Sequence, residues 1–208
     1  MKSVIARAGI LMLGFRQGND HMIEKREYIV ALFETVPLTT KDLLGGTYDD
    51  LVRQRIAKTI EIEAPITRSL LLKRVANSLS IQKVGCRLEE YFGRMLEDFS
   101  ALRDDEDGIE VYHRSGTDVE PFYRGDSRTI RYSVQIPPCE AAFALMDSLH
   151  LAGGRQKRAA AYAAFLDELG YQKSGKDLKR LFARALKWAV DNQCIRRMSN
   201  GTLVLTSF

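Results

Sequence analysis

Apolar residues recur three and four positions apart in six stretches of this chain, and the stretches come in an order that repeats. "DDLVRQRIAKTIEIE" (49–63) places Leu51, Val52, Ile56 and Ile60 on one helical face. "API" interrupts it, and Thr67 then caps a second helix that carries Leu71, Leu72, Val75, Ala76 and Leu79. After the turn "SIQKVG", a third helix presents Leu88, Phe92, Met95, Leu96 and Phe99. "RDDEDG" followed by "IEVYH" reads as a turn into a strand. The succession returns after Pro137-Pro138. "CEAAFALMDSLHL" (139–151) comes first, then "AAAYAAFLDELG" with Ala161, Tyr162, Phe165, Leu166 and Leu169, then "SGKDLKRLFARALKWAV". Asn200-Gly201 within "IRRMSNGTLVLT" is a hairpin signal.

The recurrence is also literal. "LSIQKVGCRLEEYFGRML" (79–96) and "LGYQKSGKDLKRLFARAL" (169–186) agree at eight of eighteen positions without a gap. Unrelated segments share about one such position, so the unit is duplicated. Three helices and a β-hairpin make the winged-helix variant of helix-turn-helix. The expected fold is mainly α with small β elements (α+β), built from two tandem winged-helix-like units. Residues 49–115 form the first unit and 139–208 the second, with a strand-containing linker over 116–138 and an N-terminal extension over 1–48. Within the linker, "TIRYSVQI" (129–136) alternates Ile130, Tyr132, Val134 and Ile136 on one face, which predicts a strand. "YIVALFETV" (28–36) is a second strand able to pair with it, and "HRSGTDVEPFYRGDS" is a loop. "MKSVIARAGILMLGF" is broken by Arg7 and lacks a small-residue cleavage site, so it reads as a core strand, a short helix or a poorly packed extension. It is too short to span a bilayer. Gly85 and Gly175 fall where the turn before the third helix is expected to need a positive φ or a close approach.

Composition narrows the function. The 208 residues are 45% apolar and 28% charged, as in soluble globular proteins. Cys86, Cys139 and Cys194 are far apart and odd in number, which suits a reducing cytoplasm better than a disulfide framework or a zinc site. The net charge of +4 is unevenly spread. Residues 151–208 hold eleven Lys/Arg against four Asp/Glu, and the rest hold twenty against twenty-three.

On a helical wheel the outward side of the first third helix carries Cys86, Glu89, Glu90, Arg94 and Glu97. The equivalent five positions of the second are Lys176, Lys179, Arg180, Arg184 and Lys187. In a winged helix that side enters the major groove, so the second copy is expected to bind nucleic acid, DNA foremost. Lys173 near the helix start and Arg196 and Arg197 before the wing complete the candidate surface, with Arg155, Lys157 and Arg158 as a further basic cluster. A merely solvated cationic face stands as the alternative. Trp188 sits at the edge of the apolar side and reads as core.

Glu89, Glu90 and Glu97 would repel phosphate. They suit a partner-docking surface, a basic face on another copy included. No catalytic residue, cofactor or metal site is expected: there is no P-loop, H-E-x-x-H, paired cysteine or G-x-S-x-G, and "DDED" (104–107) reads as a solvated wing tip rather than a Mg²⁺ site. No membrane partner is expected.

Several segments resemble an uncharacterised C-terminal domain of large bacterial proteins that join a superfamily-1-type helicase to a restriction-endonuclease-like region. They are Glu63-Ala64-Pro65-Ile66, Arg74-Val75-Ala76, Lys83-x-Gly85-x-Arg87-Leu88, "IPPCEAAFAL" (136–145) and the region of "LGYQKSGKDLKRLF". Thr67 stands where that pattern has His, and Ser80 where it has Gly, which Gly170 keeps. The resemblance implies a DNA-processing or defence setting, and the alternative to nucleic-acid binding is a protein-interaction module that recruits a helicase, a nuclease or another copy of the chain. It supplies no catalytic residue.

Overall fold

A computed structural model of the chain describes residues 23–114, 121–125 and 131–206. The described chain enters through a short strand, β1 (Glu24–Glu27), and a one-turn helix, α1 (Thr40–Leu44). The first unit follows: α2 (Asp49–Glu63), β2 (Ile66–Thr67), α3 (Arg68–Ser78), α4 (Cys86–Glu97), β3 (Arg103–Asp105) and β4 (Glu110–Tyr112). A strand, β5 (Phe122–Gly125), leads to the second unit: α5 (Pro138–Leu151), β6 (Arg155–Lys157), α6 (Arg158–Glu168), α7 (Lys176–Asp191), β7 (Ile195–Arg197) and β8 (Thr202–Leu205). Each set of helices closes on an antiparallel sheet of the same order, β2-β4-β3 in one and β6-β8-β7 in the other. Helix–strand–helix–helix–strand–strand with that pairing is the winged-helix arrangement, and it occurs twice. The chain is mainly α with small β-sheets.

Local chemistry accounts for the boundaries. The hydroxyl of Thr67 accepts the Leu70 N–H at 3.4 Å and so caps α3. α3 ends at Ser80, which takes the left-handed conformation at φ 60° while the Ile81 N–H returns to the Ala76 carbonyl at 2.9 Å. α6 ends identically at Gly170, φ 79°, with Tyr171 N–H on Leu166 O at 2.9 Å. The left-handed position therefore lies at 80 and 170, not at Gly85 and Gly175. Those two glycines have φ of −96° and −152°, and a Cβ on either would meet nothing within 4 Å. They are helix N-caps that lack a side-chain acceptor.

Equivalent side chains fill the two cores. Leu88, Phe92 and Leu96 are buried in α4, and Phe182 and Leu186 in α7, where Leu178 is half-buried. Phe182 meets Phe165 and Tyr162 edge-on at 5.4 and 5.2 Å. Each such apolar side chain contributes about 1.5–3 kcal/mol by leaving water. Trp188 is partly buried and stands edge-on to Phe143 at 5.5 Å, a core contact.

The connecting segments depart from the alternation pattern. Residues 133–135 of "TIRYSVQI" form a 3-10 turn instead of a strand; Tyr132 and Val134 are exposed while Arg131 is buried. Ile130 and the first 22 residues, with "MKSVIARAGILMLGF", lie outside the described residues. "YIVALFETV" is not a strand either. Its backbone is held by side chains and helix ends: Ala31 N–H donates to Glu63, and Val36 N–H to the Ser78 carbonyl at the end of α3. The strands present here are the polar "EKRE" of β1 and the "FYRG" of β5, a stretch with the sequence pattern of a loop, paired in parallel with Glu24 opposite Phe122.

What overrides the alternation is a buried ionic network. Glu140, in the first turn of α5, is fully buried, and it takes bonds from Arg124 (2.7 and 3.1 Å) and Arg131 (2.6 and 2.9 Å). Arg124 also donates to the carbonyls of Glu63 and Pro65, both at 2.7 Å, which ties the end of α2 to the start of α5. Tyr28 lies under both guanidinium groups, 4.9 and 4.4 Å from its ring centre, and donates its hydroxyl proton to Glu63, which also takes Arg74 at 3.1 Å. Burial would raise the Glu140 pKa, but the charges and hydrogen bonds of Arg124 and Arg131 outweigh it and draw it down to about 2.

Candidate nucleic-acid interface

α7 is rich in strong helix formers, begins with Asp177 in its first turn, and ends where Gln193 turns left-handed at φ 61°. Its buried stripe is Leu181, Phe182, Ala185, Leu186 and Ala189, so the positions between them must face away from the core. Lys173, Lys176, Lys179, Arg180 and Lys187 are exposed, and Arg184 is half-exposed. Lys173, Lys176 and Lys179 have no ion-pair partner among the described residues. Arg180 pairs with Asp177 one turn back at 3.2 Å, and Lys187 with Asp191 one turn on at 2.7 Å; that hydrogen bond and charge raise the Lys187 pKa.

Gly175 leaves the first N–H groups of α7 without a capping side chain, and free donors with the helix dipole suit a phosphate beside Lys173 and Lys176. Arg196 and Arg197 are exposed on β7. Together with Lys187 and Asp191 they line a shallow groove between the end of α7 and the sheet. Register adds a second basic row. Arg155 and Arg196 are both opposite Val204, and Lys157 is two residues along from Arg155, so the three cations share the outer face of this sheet. Lys157 reaches the Asn200 carbonyl at the wing turn, 3.0 Å away.

The same face of α4 is acidic. Glu89, Glu90 and Glu97 are exposed, Glu89 pairing with Arg68 at 3.0 Å, and Arg94 is exposed beside them. Lys83 and Arg87 border a shallow concavity at the start of α4.

Two features of the first wing were not legible in the sequence. Glu106, in the middle of the "DDED" run, is 5% exposed instead of solvated, and it accepts the Cys139 N–H at the start of α5 at 2.7 Å. With Asp104 and His113 it brings three ligand atoms within 4.8 Å of one another, a grouping accounted for by that helix-capping bond and by the 3.4 Å contact between His113 and Glu106. Asp107, next to it, faces α7 across the two units, 3.6 Å from Lys187 and 3.9 Å from Arg184. An acid–base contact between the two units thus exists within one chain, and the wing makes it, while Glu89, Glu90 and Glu97 take no part in it. Cys86, Cys139 and Cys194 are unpaired. Among the described residues no helix is long and apolar enough to cross a membrane.

One family model, described as "Protein of unknown function (DUF3320)", matches residues 41–90, from α1 through the first turns of α4. No curated protein and no solved structure matches the chain.

Proposed function

We propose that this chain is a non-enzymatic nucleic-acid-binding module, with DNA as its polyanion, in which α7 and the β7–β8 wing make the contact. The observation that carries this reading is the contrast between α4 and α7. Two helices at the same place in the same topology bury matching side chains, yet one turns glutamates outward and the other lysines and arginines. Packing does not call for Lys179, Arg180 and Lys187, since α4 carries glutamates at those positions and keeps only Arg94 in common with Arg184, so a ligand is the economical reason for them. A face of four or five cations neutralises backbone phosphate, and Arg180 and Arg184 have the reach to contact guanine edges from a seated helix. The resemblance of residues 50–208 to a helicase- and nuclease-associated domain supports a role for the module beside a bacterial DNA-processing or defence enzyme.

Affinity for random duplex is expected to fall with salt at a log–log slope of about −4 to −6, near −0.9 for each phosphate contacted. The triple reversal Lys179→Glu, Arg180→Glu, Lys187→Glu, which gives α7 the charges of α4, is expected to abolish binding in an anisotropy titration while the circular dichroism spectrum stays that of the wild type. A reversed variant that still binds as the wild type does would overturn the reading.

A further inference from the structure

We propose that the wing of the first unit is a built-in competitor for the polyanion: Asp107 occupies Arg184 and Lys187 in the place that phosphate takes on binding. The inference rests on the reading of α7 as the contact helix, and adds how that surface is regulated.

The wing tip is held where it is. Glu106 is buried and bonded to the first turn of α5 at 2.7 Å, His113 lies 3.4 Å from Glu106, and α5 packs along α7. Asp105 closes the turn by accepting the Gly108 N–H at 2.7 Å, and Asp107 adopts φ 59° at its tip. The carboxylate of Asp107 is therefore presented to α7 by a fixed scaffold. Its own hold is loose: at 3.6 and 3.9 Å from two partly exposed cations it makes ion pairs beyond hydrogen-bond length, of a kind worth little in water. A strand of phosphates, which brings many charges at once, can displace such a contact where a single counter-ion gains little. Among the described residues Asp107 is the only acid of the first unit within ion-pair distance of α7. Lys176, Lys179 and Arg180, on the first half of the helix, remain open to solvent. Nucleic acid then meets that half first, and Arg184 and Lys187 join once Asp107 gives way.

The test is an anisotropy titration of the full chain against random duplex at low and high salt. Asp107→Asn is expected to bind about threefold to tenfold more tightly at low salt, the advantage fading as salt screens the exposed pairs. Asp105→Asn removes the same charge from the same turn without touching α7, and is expected to have a clearly smaller effect. In an Arg184→Gln, Lys187→Gln background, Asp107→Asn is expected to change nothing, since its targets are gone. The inference is overturned if Asp107→Asn binds as the wild type does, if Asp105→Asn tightens binding equally, or if the gain survives in the double-Gln background. A chain with no duplex affinity in any form removes the underlying reading, and the inference with it.

Discussion

The third helices of the two units, α4 and α7, differ where they face outward and agree where they face inward. Leu, Phe and Leu recur at 88/178, 92/182 and 96/186, whereas Glu89, Glu90 and Glu97 become Lys179, Arg180 and Lys187. The first helices differ in a second way. Six of the fifteen residues of α2 are buried, and every residue of α5 from Pro138 to Leu149 is. Asp50, in the first turn of α2, has 93% of its side chain exposed; Glu140, in the first turn of α5, has none. A duplicated unit keeps its topology through a handful of apolar positions, which leaves the other faces free to diverge. One copy's first helix became the centre of the molecule, and its third helix became a charged surface.

The largest effect is expected at that first helix. Glu140→Gln leaves two buried guanidinium groups without their carboxylate and should cost about 3–5 kcal/mol in a urea melt. Asp50→Asn, an exposed change, should stay within about 0.5 kcal/mol. If the two cost the same, the contrast between α2 and α5 is wrong. The same carboxylate sets an acid limb. Its folded pKa, about 2, lies below the ordinary 4.5, so the unfolded chain takes up the proton first. Its contribution, on the order of 3 kcal/mol, is fully present above about pH 4.5 and is lost as the pH falls toward 2. Urea melts across that range should show the loss in the wild type and a flatter profile in Glu140→Gln.

A smaller effect tests the divergence of the third helices. Glu89→Lys, Glu90→Arg, Glu97→Lys gives α4 the charges of α7. Low-salt affinity for duplex should rise by about tenfold, since three phosphate-repelling groups become three phosphate-neutralising ones. No gain would mean that charge alone does not distinguish the copies. The smallest effect lies where the copies share a backbone but not a residue. Ser80→Gly should stabilise by about 0.5 kcal/mol and Gly170→Ser should destabilise by about as much, because both positions are left-handed and only glycine is free of the Cβ penalty there. Thermal melts of the two single variants would show opposite shifts, and shifts of the same sign would break the equivalence.

The two helical trios, the Thr67 cap, the turn at the end of "RDDEDG" (its first half is strand β3), the Asn200-Gly201 hairpin and the outward cations of α7 were legible because each is written in residues near one another in the chain. Helical periodicity and turn chemistry report local burial, and an unbroken polar stripe on an amphipathic helix reports the face that meets solvent. The cation stripe was therefore readable from spacing, while Asp107 was not: within "DDED" four acids look alike, and only the packing of the two units buries Glu106 and sets its neighbour against α7. A hint of the ionic network did exist, since Glu140 is a lone carboxylate in the otherwise apolar start of α5. Its partners carried no signal. Arg124 lies in a stretch that looks like loop, Arg131 falls on the polar side of the "TIRYSVQI" alternation, and β1 and β5 are nearly a hundred positions apart with a polar sequence on one side. Sequence by itself determined two winged-helix units and the charge each presents. How they are clasped, by which buried ions, and which acid faces which base were decided only in the folded chain, because pairing over long separations depends on where the whole path brings side chains together, and no local pattern encodes that.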